Sequence, residues 1–326
     1  MTCMTRRWFK TIIMAVLFTA LPLFAFAAGT TQPNTLGGLY LELDGVQAGP
    51  LLSSEGGIPA GDVAQSKTLP NSTASLKNIT NIRYADITVT FVGGMTKQLY
   101  QWMQDTLSGN VVYKNGAIIY TDHTGAEFKR LSFKNALISE IGLPALNATD
   151  KSALFFTLKI APESTIPEKG KGGKITKPNV IQEKMLGANF KLTIAGLDTS
   201  RVNKIEALTT KISITSDQTG NSRIRTIRPA KMEIPDLVIE MDESRAQSTF
   251  EWFNDFLVNG NNGQDKEKSG TLEYLSPTMK TLFTVKLNNL GIFKLETGKS
   301  VVNDERISKI KASMYSESLQ INSSGQ

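Results

Sequence analysis

The sequence predicts a mainly β protein built of two tandem units, each interrupted by one short α-helix. Three observations carry that prediction. Apolar and polar residues alternate with period two along many short runs, as half-buried strands require. Two other segments space their apolar residues three to four apart, the stripe of an amphipathic helix. The same blocks then recur in the same order roughly 150 residues apart, which marks an internal repeat.

Arg6, Arg7 and Lys10 precede an apolar run from Thr11 to Phe24, followed by Ala25-Phe26-Ala27. This order reads as an export signal over residues 1–27, cleaved between Ala27 and Ala28. The run is short for a hydrocarbon core of roughly 30 Å, so no stable membrane insertion is expected after cleavage. Loss of these three cations lowers the net charge from +6 to +3. Residues 28–165 hold 10 cations and 11 anions, and residues 188–326 hold 18 and 17. The surplus lies between them, where residues 166–187 hold 5 and 2. A phosphate-binding face would cluster Lys and Arg within a folded unit, so nucleic acid is not expected as a partner. Cys3 is the one cysteine and precedes the cleavage point. Without disulfides, stability must come from cores or from assembly.

The repeat aligns in three blocks. Leu39–Val46 matches Phe190–Leu197 at an offset of 151, each a strand running into a glycine. Ile87–Thr90 matches Leu237–Glu240, and Tyr100–Leu107 matches Phe250–Leu257, at an offset of 150. Leu131–Leu137 matches Val285–Gly291, and Ala161–Ser164 falls opposite Tyr315–Ser318, at an offset of 154. The four extra residues fit in Val258–Gly270, since surface loops absorb insertions cheaply. The expected domains are therefore 28–165 and 188–326, joined by a flexible linker at 166–187 rich in Pro, Lys and Gly.

Within the first unit, alternation marks strands at Tyr40–Leu43, Ile87–Phe91, Ala117–Tyr120, Phe128–Phe133 and Leu154–Ile160. The helices are expected at Thr96–Leu107 and Arg245–Val258, with Trp102 and Trp252 as matching core anchors. Gln47–Ile79 and Thr210–Pro235 occupy equivalent places and read as long loops.

Chemistry is thinly represented. His123, the single histidine, falls in a turn with no nucleophile motif around it. Asp242 with Glu243 is the densest acidic pair, but adjacent acids at a helix start complement its dipole. Gly56–Gly61 lacks the strand-to-helix setting and Lys-Ser/Thr ending of a phosphate cradle. No catalytic, cofactor or metal site is expected, and no enzyme.

The first unit resembles the tail tube proteins of contractile-tailed phages and their relatives in bacterial injection systems, and the second carries the same order of elements more loosely. The likeness rests on Ile87–Gly94 leading into Leu99-Tyr100-Gln101-Trp102, on Phe133–Leu146, and on the closing strand Phe156–Glu163. The resemblance implies two tandem tail-tube-like antiparallel β-barrel or sandwich domains, and subunits that pair strands into six-membered rings. A chain with two units would close as a trimer with pseudo-sixfold symmetry or as a hexamer. Tail tube subunits of that family carry one unit and no export signal, so this chain departs from it twice.

Two functions remain open on the sequence. One is an exported structural protein, periplasmic or extracellular, that self-assembles into rings, tubes or filaments. The other is a monomeric envelope module that binds a protein or glycan partner.

Overall fold

The structure, a computed structural model, describes residues 35–66, 75–92, 95–177, 184–217, 225–298 and 307–323. The expected export signal, with Ala27 and Ala28, lies outside the described residues.

Strand alternation dictates most of what is seen. In the first half β1 (Gly38–Leu43), β2 (Val46–Leu51), β3 (Ser53–Gly56), β4 (Pro59–Ser66), β5 (Leu76–Tyr84) and β6 (Ile87–Phe91) precede helix α1 (Lys97–Leu107). After it come β7 (Lys114–Thr121), the long β8 (Glu127–Leu143), the short β9 (Leu146–Asn147), β10 (Phe156–Ala161) and β11 (Ser164–Lys169). The second half runs β12 (Phe190–Ile194), β13 (Val202–Ile205), β14 (Leu208–Asp217), β15 (Thr226–Glu233) and β16 (Leu237–Asp242). Helix α2 (Gln247–Phe253) follows, then β17 (Lys268–Leu275), β18 (Thr281–Thr297) and β19 (Lys309–Ser323). In β6, Ile87, Val89 and Phe91 are buried while Thr88 and Thr90 are half-buried; Leu237, Ile239 and Met241 repeat the pattern in β16.

All named pairings are antiparallel. One sheet orders its strands β2-β1-β7-β8-β10-β6-β3, with β11 and the β14–β15 hairpin attached. The other runs β12-β17-β18-β19-β16-β13-β9, and β4–β5 form a two-stranded sheet of their own. The fold is thus mainly β, in two tandem sets with one short helix region each.

Ladder registers recur between the sets. Leu41 faces Ile118 in β1–β7, and Leu192 faces Leu272 in β12–β17. Ile118 faces Leu131, and Leu272 faces Val285. Even the irregularities coincide: β10 slips against β8 between Lys159 and Ile160, and β18 slips against β19 between Ile292 and Lys294. Both long strands bend at an asparagine in the left-handed region, Asn135 (φ 45°) and Asn289 (φ 56°). Asparagine tolerates that conformation better than most side chains.

Helix α1 starts where expected, its N-cap Thr96 accepting from the Leu99 amide through its hydroxyl. The second helical stretch is less regular. A 3-10 turn (Glu243–Arg245) leads into α2, and a π-helical turn (Asn254–Val258) ends it.

Two expectations are revised. Gln47–Ile79 and Thr210–Pro235 are not simply loops: they carry β3, β4, the start of β5, and β14 and β15. Their strands have much exposed surface, so the alternation of one buried and one wet face is weak there. Part of 166–187 is also ordered. Ile166–Lys169 completes β11 along β8, and Met185 is buried, its carbonyl accepting from the Leu154 amide. Such a segment cannot fold alone, but the edge of an existing sheet supplies its hydrogen-bond partners.

The halves share one apolar core. Phe91 stacks on Phe156 at 5.8 Å, and Phe156 meets Tyr274 at 5.8 Å and Phe283 at 5.5 Å. All four rings are buried.

Candidate assembly surface

What the sheets leave for function is a seam between the halves and the edges corresponding to it. At the seam Leu208–Lys211 of β14 pairs with Leu143–Glu140 of β8, and β13 pairs with β9. Ile227 on β15 is clasped from two sides. Its carbonyl accepts from Tyr113 Oη at 2.7 Å, and its amide donates to Glu163 Oε1 at 3.2 Å. Arg225 Nη2 donates to the Tyr84 carbonyl at 2.9 Å, and Tyr100 Oη donates to the Ile321 carbonyl. The β14–β15 arm of the second half therefore lies as extra strands on the sheet of the first, a form of strand addition.

The corresponding arm of the first half does not. β4 and β5 pair with each other in the register of β14 and β15: Val63 faces Ile79 as Ile214 faces Pro229. Along that arm Ile58, Val63, Leu76 and Ile79 are exposed by 53–67%. The arm leaves β3 through Gly56 (φ 85°) and Gly57 (φ 75°), a left-handed pair suited to glycine.

The two matched tryptophans are both buried, with different polar fates. Trp102 Nε1 donates to the Val112 carbonyl at 2.9 Å, whereas buried Trp252 Nε1 has no hydrogen-bond partner among the described residues. Lys268 Nζ lies 5.3 Å from the Trp252 ring centroid, a cation over an aromatic face.

The most buried ionic group is a triad on one sheet face. Arg130 on β8 makes paired hydrogen bonds to Glu127 (2.8 and 3.2 Å) and to Glu42 on β1 (2.7 and 3.2 Å). Burial pushes the Glu127 carboxyl up, but the hydrogen bonds and charge of Arg130 outweigh it and hold the group below its ordinary value. The Glu127 hydrogen bonds in turn raise the Arg130 guanidinium against its desolvation. Thr193, Thr281 and Thr284 stand at the matching places of the second half, so the triad belongs to the first alone.

His123 lies in the turn between β7 and β8, where Asp122 accepts from the Thr124 hydroxyl and from the amides of Thr124 and Ala126. Asp242 accepts from Asn203 at 3.1 Å, and Glu243 from the Ser308 hydroxyl. Each of these acids is occupied by a separate neighbour rather than by the other. Among the described residues no group of three or more His, Cys, Asp or Glu could hold a metal, and no helix is long and apolar enough to cross a membrane. A seam cavity of about 390 Å³ is lined by Asp86, Glu140, Glu233, Lys159, Lys211 and Arg225, with no excess of either sign.

Residues 63–165 match the family model described as T4-like virus tail tube protein gp19. The match takes in the Ile87–Glu163 stretch that carries the tail tube likeness, which is thus shown over residues 63–165. Among solved structures, the chain is similar to one in the 6-fold symmetrised baseplate of the anti-feeding prophage. Identity is 10%, coverage is 47% of this chain and 100% of that one, and the TM-score is 0.35. For the PVC sheath/tube terminator of an extracellular contractile injection system the values are 16%, 43% and 99%, and 0.37. For Hcp1 from Flavobacterium johnsoniae they are 14%, 41% and 95%, and 0.26. No curated protein matches the chain.

Proposed function

We propose that this chain is an exported structural protein that self-assembles into rings, tubes or filaments, in the periplasm or outside the cell. Its building units are residues 28–165 and 188–326, two copies of one tail-tube-like design. Three chains would close a ring with pseudo-sixfold symmetry, or six a larger one, without cofactor or nucleic acid.

The observation that carries this reading is the recurrence of ladder registers between the two halves, combined with the unequal use of their edges. A contact made head to tail between like units either closes into a ring or grows into a filament. Unpaired strand edges favour such addition, because their amides and carbonyls have only water as partner.

Expression of the whole chain in a bacterial host tests it. Mass spectrometry of the exported product reads cleavage between Ala27 and Ala28, while light scattering and negative-stain images read assembly. A mass of three or six chains, or visible rings or tubes, supports the proposal. A monomer at tens of micromolar with no assemblies removes it and leaves the envelope-binding module.

A further inference from the structure

The seat of Ile227 has a counterpart in the second half, filled with different chemistry. Glu267 stands 154 positions beyond Tyr113, the offset that carries the Lys114–Ala136 pair onto Lys268–Leu290. Glu317 stands 154 beyond Glu163, as Ser318–Asn288 stands to Ser164–Lys134. The residue corresponding to Ile227 is Lys77, since Gln65 faces Lys77 as Ser216 faces Ile227. Tyr113 and Glu163 hold Ile227 by its main-chain carbonyl and amide; two carboxylates at the matching place have no proton to give a carbonyl, so what they would hold is the cationic side chain of Lys77.

We propose that Lys77 of one copy docks between Glu267 and Glu317 of the next. The β4–β5 arm thereby repeats between chains the contact that β14–β15 makes within one. The inference rests on the assembly reading above and deepens it by naming the residues of the interface.

Four observations bear on it. Among the described residues Glu267 Oε2 is buried with no hydrogen-bond partner, a state that costs free energy until a donor arrives. Glu267 Oε1 accepts from Tyr315 Oη at 2.8 Å. Burial, then that hydrogen bond and the charges of Glu267 and Glu317, push the Tyr315 phenol up to about 12. Finally, side chains buried at the seam have exposed counterparts at the proposed junction. Ile227 is 1% exposed while Lys77 is exposed, and Leu107 on α1 is 6% exposed while Leu257, 150 positions on, is 44%.

The ladder follows from the same correspondence. Gly57–Ala60 would pair with Lys294–Thr297 of β18, as Leu208–Lys211 pairs with Glu140–Leu143. Pro59 has no amide to give, so the strand pairing is weaker there than at the seam and the ion pair carries more of the contact.

The test uses the whole exported chain, by light scattering and negative stain at low and high salt. Lys77→Glu is expected to shift the assembly midpoint at least tenfold to higher concentration, and Lys77→Glu combined with Glu267→Lys to restore it. Wild-type assembly should weaken as salt screens the pair. Circular dichroism of each variant checks that the exposed substitution leaves the fold intact, and Lys77→Gln serves if Lys77→Glu does not fold. If the wild type assembles and both Lys77 variants assemble equally well, this interface is overturned while the assembly reading stands. If the wild type stays monomeric, both fall.

Discussion

Tyr113 Oη donates to the main-chain carbonyl of Ile227, 114 residues further on. The bond ties a residue just before β7 in the first half to the arm of the second, and Glu163 holds the amide of the same isoleucine. A side chain that secures a strand through its backbone is indifferent to that strand's side chains, so this clasp does not depend on the identity of residue 227.

Tyr113→Phe keeps the ring and removes only the donor. The loss expected is about 1 kcal/mol, the net worth of one such bond. Urea unfolding reads it as a lower midpoint at unchanged slope, and an unaltered midpoint would mean that water replaces the hydroxyl without cost.

The Arg130 triad gives a pH-dependent prediction. Glu127 sits below its ordinary value of 4.5 in the folded chain, so its charged form stabilises the fold at pH above about 4.5. That contribution is lost as pH falls through the lowered value. Glu127→Gln should therefore destabilise at pH 7 and flatten the acid limb of the stability curve. Arg130→Met removes the shared cation and leaves two carboxylates facing each other across a buried site, at a cost of about 3 kcal/mol or more. Equal slopes for wild type and Glu127→Gln between pH 3 and 5 would refute the linkage.

The tryptophans separate by their polar atoms. Trp102→Phe breaks a bond to the Val112 carbonyl, while Trp252→Phe removes an N–H that has no partner among the described residues. Losing one partner of a buried pair costs about 1–3 kcal/mol beyond packing, and the unpartnered group carries no such penalty. Thermal melting of the two variants should rank Trp102→Phe as the more damaging, and the reverse order would contradict the assignment.

Gly291 faces Tyr315 across β18–β19, and a Cβ there would lie 2.1 Å from the phenol ring. Gly291→Ala should cost about 1–3 kcal/mol through forced repacking. At Gly142 the nearest atom to an added Cβ lies 3.4 Å away, so Gly142→Ala serves as the tolerated control. Similar melting temperatures for the two would show that Tyr315 moves aside freely.

Much of the fold is legible in local pattern. Ile87–Phe91 and Leu237–Met241 alternate because one face is buried, and Leu99, Trp102, Met103 and Leu107 repeat at helical spacing because α1 lays one side on the core. The arms escaped this reading. Lys211-Ile212-Ser213-Ile214-Thr215 does alternate, but in a polar setting that resembles loop, and Pro59–Ser66 alternates hardly at all. β11 was hidden for a similar reason, as Ile166-Pro167-Glu168-Lys169 is polar and contains a proline, yet it lies along β8 where edge pairing is available.

The sequence by itself determined alternating strands such as Ile87–Phe91, the two helical stripes, the offsets of 150, 151 and 154 between matching blocks, and the pair Trp102 and Trp252. Each is a local signal, set by which side chains can face a core at a given backbone period. Only the tertiary structure decided that β14 adds to β8, that Arg130 is held by Glu42 and Glu127, and that Ile227 is enclosed while Lys77 is exposed. These are contacts between distant parts of the chain. Their energy depends on which edges remain unpaired once each half has formed, and no periodicity within either half encodes that.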